Sequence, residues 1–301
     1  MNVGQILEHD PRLDIRLGRL EEFESAGPIG SDDEMLLTYA RDERFVAKGL
    51  SRPNVAALFV RPGDVPSEEG EATLILTPDP QAAFFAFHNY LATETDFYGA
   101  SKASDISPGA KIYPGVFIAE QDVSIGDGAV VYPGAVLLEG TTIKAGVEIA
   151  PGAVLGVSGA RIVKPLHGDS FRIIHIGGVL VREGAFLGAN CVIVRSVWRR
   201  PTTIGRNTFV GNLVNVGHNC VVGDDAMVLP GSVLCGSVNM GDEAVVAPGA
   251  VVANQKRLGR GAWVTLGAVA TQDVEPGCRV SGNFAIEHEK LVAHVKELAE
   301  R

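Results

Sequence analysis

Aromatic side chains are scarce in this 301-residue chain, at 6% of positions, and histidine occurs only 7 times. A core with so few large rings has to be filled by Val, Ile, Leu and Ala, and the 36 glycines point to tight turns repeated many times. Cysteine is also rare: Cys191, Cys220, Cys235 and Cys278, none of them in a CxxC pair. That argues against a zinc ribbon or a dithiol redox motif. No run of 18 apolar residues occurs, which argues against a membrane-spanning helix. The opening segment MNVGQILEHDPRLDIRLGRL mixes charges of both signs and lacks the apolar stretch of a secretory leader, so a cytoplasmic location is expected. Basic residues are outnumbered, leaving a net charge of −10, which disfavours nucleic acid and anionic membrane surfaces as partners.

What is present is a repeat. From Ile204 an apolar residue recurs every six positions: Ile204, Val210, Val216, Val222, Val228, Leu234, then on through Met240 and Val246 to Val264 and Ala270. At 46% apolar content, twelve hits in twelve places arise by chance on the order of once in ten thousand. Four residues after most of them stands something small, such as Thr208, Cys220, Ala226, Ser232, Ala244 or Ala250, with Lys256 the exception. An earlier block runs Ile106, Ile112, Ile118, then Ile125 to Leu155 after a one-residue shift, and a third short run is Val181, Leu187, Ile193. A period of six does not match an α-helix. It matches a short strand and a turn, three of which close a coil of about 18 residues, with coils stacked at about 4.8 Å. The apolar residue and its small partner then both point into a narrow prism, with Pro-Gly pairs at turns. A parallel β-helix is the expected fold, with a β-sandwich as the alternative.

Two segments break the period, 156–178 and 194–203. Insertions in a solenoid often mark binding faces. Residues 1–100 lack the repeat and read as a small α/β domain, with strands at 55–60 and 72–77 and helices at 41–50 and 80–93. The β-helix is expected over 101–283 and a short C-terminal helix over 284–301, where Leu291, Val295 and Leu298 share one face. Capping of exposed strand edges is one role for both flanking pieces.

The strongest catalytic candidate from residues alone is His218. It lies two after Val216, on a turn and outside the inward register. Histidine as a residue type ordinarily changes charge near neutrality, which suits a general base. Eighteen residues on is Gly236, and eighteen further is Asn254, so an unbroken repeat stacks the three on one edge. A glycine beside the base lets a backbone N–H face an incoming group and stabilise an oxyanion. The basic residues Arg195, Arg199, Arg200, Lys256, Arg257 and Arg260 stand out in an acidic chain. They could meet coenzyme A phosphates or an acyl carrier protein, or be ordinary surface charge. Trp198 and Trp263 could line an acyl groove or pack.

GNLVNVGHNCVVG (211–223), the order of α/β domain, β-helix and terminal helix, and the aromatics Tyr39 and Phe45 in TYARDERF together resemble one family. It is the UDP-3-O-acylglucosamine N-acyltransferases, with relatives acting on other nucleotide amino sugars. The resemblance spans roughly 35–283. It implies a left-handed parallel β-helix, a homotrimer, His218 as base and Gly236 as oxyanion donor. It also implies substrate contacts from Tyr39 and Phe45 (flanking a pyrimidine), His175 in HIGGV, Asn212, Asn219 and Arg195, with the donor near Asn254, Gln255, Lys256 and Arg257. No metal and no permanently bound cofactor is implied; the co-substrate is acyl-CoA or an acyl carrier protein thioester. Three positions depart from the family pattern: Gly211 and Val194 where it has Asp, and Gln255 where it has His. These departures and the short tail favour a short acyl-CoA donor and a UDP- or dTDP-linked amino sugar of surface glycan synthesis. The alternatives are the lipid A acceptor UDP-3-O-(3-hydroxyacyl)glucosamine with acyl carrier protein, and a non-catalytic β-helix scaffold.

Overall fold

The computed structural model describes residues 1–10, 13–16, 22–65, 71–282 and 287–299. The chain divides into two units. One comprises Met1–Ser101 with Ser158–Gly177 and Val197–Arg199; the other holds Lys102–Val157, Gly178–Ser196 and Arg200–Arg301. This corrects the expectation of contiguous domains. The two segments that break the period belong to the N-terminal unit, because their apolar residues Val163, Ile173 and Val197 are buried in its core.

The repeat unit is a parallel β-helix of three sheets with nine, eight and eight strands. Most strands are only two residues long, as a hexad shared between strand and turn requires. Register shows the coil directly: Val210 pairs with Val228, Val228 with Val246 and Val246 with Val264, eighteen residues each time. Where the period breaks, the offset grows. Ile149 pairs with Leu187, 38 positions on, and Leu187 with Val210, 23 on. Coils therefore continue in register across excursions of twenty and five residues.

The inward positions form one continuous core from Ala119 to Val274. A fully buried Val or Leu contributes about 1.5–3 kcal/mol. The small partners that are polar satisfy themselves locally: the Thr208 hydroxyl donates to the Gly223 carbonyl at 2.7 Å, and Ser232 to Leu229 at 2.5 Å. Burial pushes the thiols of Cys191 and Cys220 up to about 12, so neither serves as a nucleophile. Outward residues differ by face. One sheet presents Phe186, Phe209, Met227 and Trp263; a second presents Val136, Val154, Val233, Val251 and Val269; the third is mainly polar, with Ser124, Thr142, Thr203, Asn239 and Arg257 beside Leu180 and Val221.

The N-terminal unit is a five-stranded sheet built from β1 (Asp14–Arg16), β2 (Ser25–Ala26), β3 (Leu36–Tyr39), β4 (Val55–Val60) and β5 (Thr73–Leu76), in the order β1-β5-β4-β3-β2. Only β1 is antiparallel to its neighbour. Besides the short α1 (Gly4–His9), the unit has α2 (Glu43–Leu50) and α3 (Pro80–Thr93). The residues of α2 and α3 join different hydrophobic clusters. Leu37, Ala57 and Phe59 share one with α3, while Leu36, Leu58 and Val60 share the other with Val46 of α2. Alternation along a strand puts these clusters on opposite sheet faces. α2 starts at Glu43, not 41, because Asp42 is its N-cap and accepts from the Arg44 and Phe45 N–H groups. At the other end of the chain, α4 spans His288–Ala299. The side chains of Leu291, Val295 and Leu298, expected on its apolar face, lie outside the described residues. Among the described residues no helix is long and apolar enough to cross a membrane.

Candidate active site

His218 follows the strand Asn215–Val216 on the corner that leads from the second, valine-faced sheet to the polar one. It is half-buried, and the carbonyl before its turn partner is engaged across the coil: the Ser237 N–H donates to the His218 carbonyl at 2.8 Å. Gly236 stacks on it, and the Gln255 N–H donates to the Gly236 carbonyl at 3.0 Å, so the same corner carries Asn254 and Gln255 in the next coil. The contact between imidazole and glycine is close. A Cβ built on Gly236 would stand 2.6 Å from both Cε1 and Nε2 of His218. Among the described residues the Gly236 N–H donates to no backbone carbonyl, so the inter-coil ladder leaves it available beside the imidazole.

The orientation of His218 has an identifiable source. Its Nδ1 lies 2.8 Å from Asn219 Oδ1, and Asn219 Nδ2 donates to the Ser196 hydroxyl at 2.5 Å. The Asn219 N–H donates to the Thr202 hydroxyl at 2.9 Å. Asn219 has φ +61, a left-handed conformation that asparagine tolerates. With the amide nitrogen committed to Ser196, the amide oxygen accepts from Nδ1–H, which leaves Nε2 as the proton acceptor. Nε2 and Cε1 are the ring atoms that face Gly236. Ser196 and Thr202, both fully buried, are absent from the sequence-based candidates. Counting the 23-residue offset of this coil from Asn219 does reach Ser196. Replacing Asn219 by Asp tests the arrangement. A carboxylate would still accept from Nδ1–H but favours the imidazolium, so the acid limb of the kcat/KM–pH profile moves to higher pH while the melting temperature holds within a few degrees. An unmoved limb removes Asn219 from the orientation of His218.

The remaining expected residues are distributed as follows. Arg195 lies at the same corner, half-buried; burial lowers its guanidinium, opposed by Glu139 and Asp122. Lys256 and the outward Arg257 continue the edge one coil beyond Gly236. Asn212 is not brought to His218 within one chain. It sits on the preceding corner, where its Oδ1 accepts from the Ala189 N–H at 2.8 Å. Gly211 has a packing reason: a Cβ there would meet Pro230 at 2.7 Å, so this coil has no space for a side chain. Val194 is buried. The expected basic cluster is dispersed. Arg260 pairs with Glu243 on another corner, and Arg199 belongs to the N-terminal unit, donating to the Phe97 carbonyl at 2.8 Å. Trp198 packs in that unit too, stacked on Phe85 at 5.8 Å, while Trp263 faces outward beneath Arg279 at 4.5 Å.

In the N-terminal unit, Tyr39 ends β3 and Phe45 lies in the first turn of α2. Both are half-buried, but their rings pack against clusters on opposite sheet faces, Tyr39 against Phe84 and Phe85 at 5.1 and 5.5 Å. His175 departs from the expectation of a substrate contact. It is 3% exposed, with Nδ1 3.2 Å from the Ile173 carbonyl. A ring so enclosed has no open face for a ligand and serves the packing of the 158–177 segment.

Hexapeptide coils with a histidine and a glycine stacked on one edge define a class: the chain is a hexapeptide-repeat acyltransferase. The family pattern described as bacterial transferase hexapeptide (six repeats) matches residues 122–156, 201–236 and 219–254. A UDP-3-O-acylglucosamine N-acyltransferase of Helicobacter pylori (strain HPAG1) is 30% identical over 244 residues, covering 74% of this chain and 70% of that protein. One from Fusobacterium nucleatum is 28% identical, covering 70% and 68%. Another, from Maricaulis maris, is 44% identical over 165 residues, covering 55% and 46%. The chain belongs to the UDP-3-O-acylglucosamine N-acyltransferase family.

Proposed function

We propose that the protein transfers an acyl group from an acyl carrier protein thioester to the amine of UDP-3-O-acylglucosamine in the cytoplasm. The observation that carries this reading is the His218 ring held against Gly236, in a chain of this family. His218 takes the proton from the sugar amine as the nitrogen attacks the thioester carbonyl. The Gly236 N–H donates to the oxyanion of the tetrahedral intermediate. Collapse breaks the C–S bond, forms the amide and releases the thiol, which regains the proton. The outward valines 233 and 251, next to the same corner, offer an apolar wall for a long chain. Asn254, Gln255, Lys256 and Arg257 continue the edge towards the donor, and Arg195 lines it on the other side. The N-terminal unit takes the uridine, with Tyr39 as the aromatic beside it; Phe45, on the opposite sheet face, does not share that role. The activity named for the relatives supports this acceptor over the different amino sugar expected from the sequence.

Assay of one amino-sugar acceptor panel with a 3-hydroxyacyl carrier protein against acetyl-CoA tests the reading. Turnover of the UDP-3-O-acylglucosamine acceptor with the carrier protein is expected. Turnover only with acetyl-CoA, or only with another sugar, overturns it.

A homotrimer is part of the proposal. Two of the three β-helix faces carry outward apolar rows, and isolated soluble proteins rarely expose contiguous patches of that extent. Packing against two further copies covers both. Light scattering should give three times the 31.7 kDa chain mass; a monodisperse monomer refutes the trimer.

A further inference from the structure

The N-terminal unit contains two arginines held together around one phenol. Arg41 directly follows β3, and its Nη2 lies 3.5 Å from the Tyr39 hydroxyl. Arg161 comes from the 158–177 segment, and its guanidinium sits over the Phe85 ring at 5.2 Å; Phe85 also packs on Tyr39 at 5.5 Å. Trp198 stacks on Phe85 as well, so the ring that supports Arg161 is braced. Burial lowers the Arg161 guanidinium from its ordinary value; the Tyr39 phenol opposes this by charge and hydrogen bonding, and Arg41 lowers it further by repulsion. Among the described residues no carboxylate is among the groups that act on Arg161. The nearest acid in sequence, Asp42, is committed to the N-terminus of α2 and to Arg44 at 3.3 Å.

Two guanidinium groups beside each other, one of them half-buried, repel unless an anion lies between them. Their place in the fold suits a ligand. Tyr39 and Arg41 stand at the carboxyl end of a parallel strand, where open α/β sheets bind ligands. Arginine forks match phosphate oxygens geometrically.

We propose that Arg41 and Arg161, with the Tyr39 hydroxyl between them, form a clamp for the phosphate groups of the nucleotide sugar. The proposal rests on the nucleotide-sugar reading above and adds what the motif around Tyr39 does not contain: a residue from 122 positions further along the chain, delivered by the segment that interrupts the repeat. It also gives Tyr39 a hydrogen-bonding role towards the diphosphate through its hydroxyl.

The test is calorimetric titration of the full-length protein with UDP, uridine and inorganic pyrophosphate. The variants are Arg41→Gln, Arg161→Gln and Arg161→Lys. Loss of one charge-assisted contact weakens UDP and pyrophosphate binding roughly tenfold or more, with uridine affinity within about twofold of wild type. Arg161→Lys, which keeps the charge, retains part of the affinity. Arg41 is exposed, so its variant reports on binding without threatening the fold. UDP affinity unchanged in both glutamine variants overturns the clamp and leaves the nucleotide-sugar reading standing. Equal losses for uridine and UDP also overturn it. Salt-sensitive pyrophosphate binding by wild type, lost in both glutamine variants, with no binding of UDP or uridine, supports the clamp while refuting the nucleotide reading.

Discussion

His218→Ala lowers kcat by about 10²–10⁴, the usual contribution of a positioned general base, and leaves the fold intact. The side chain is outside the inward register, and its removal opens no core cavity. Asn219 keeps its Nδ2 bond to Ser196 and its N–H bond to Thr202, so the left-handed corner persists without the imidazole. The melting temperature therefore stays within a few degrees of wild type. Single-turnover kinetics with saturating acceptor and donor should show the loss in the chemical step. A variant whose turnover stays within a few-fold of wild type removes His218 as the base.

Gly236→Ala is expected to cost about 10²–10³ in kcat, comparable to the loss of one oxyanion donor, although only a methyl group is added. The glycine is not in the left-handed region, so alanine adopts the same backbone without strain. The cost falls on the site: the new Cβ would lie 2.6 Å from Nε2 and Cε1 of His218, forcing the ring away from its productive position and shielding the Gly236 N–H. Gly217→Ala is the control for a merely structural effect. Its Cβ would meet the backbone of Cys235 and Gly236 at 2.8–2.9 Å, where no side chain can yield, so that variant should lose thermal stability. Activity of Gly236→Ala within threefold of wild type, with its melting temperature preserved, would exclude both roles for the glycine.

These two residues were accessible to sequence reasoning because a solenoid converts spacing into proximity. An eighteen-residue period names the neighbour of His218 as soon as the coil length is known. The same logic explains what was missed. Ser196 lies beneath Asn219 only after a five-residue excursion is counted, and a polar residue at the end of a broken repeat carries no local signal. The strand Val55–Val60 and the helix Pro80–Thr93 were legible at 55–60 and 80–93. β3 was not, being four residues long and without alternation. The assignment of residues 158–177 and 197–199 to the N-terminal unit was also hidden, because partners such as Asn89 and Arg172, or His88 and Ile174, are more than eighty positions apart. The buried position of His175 follows from that docking.

The separation of His218 from Gly236 is set by the rise between hydrogen-bonded coils, and that has a consequence for how the protein loses structure. In a stacked array, opening begins at the ends and runs inward, and each coil is protected by those still folded beyond it. The Gly236 coil is followed by strands at Val251–Val252, Trp263–Val264, Val269–Ala270 and Arg279–Val280. Fraying from the C-terminal end must undo all of them before His218 and Gly236 separate. Amide hydrogen exchange along the β-helix should therefore grade from fast near Val280 to slow near Val222, with the ladder around His218 and Gly236 exchanging only in the deeper openings.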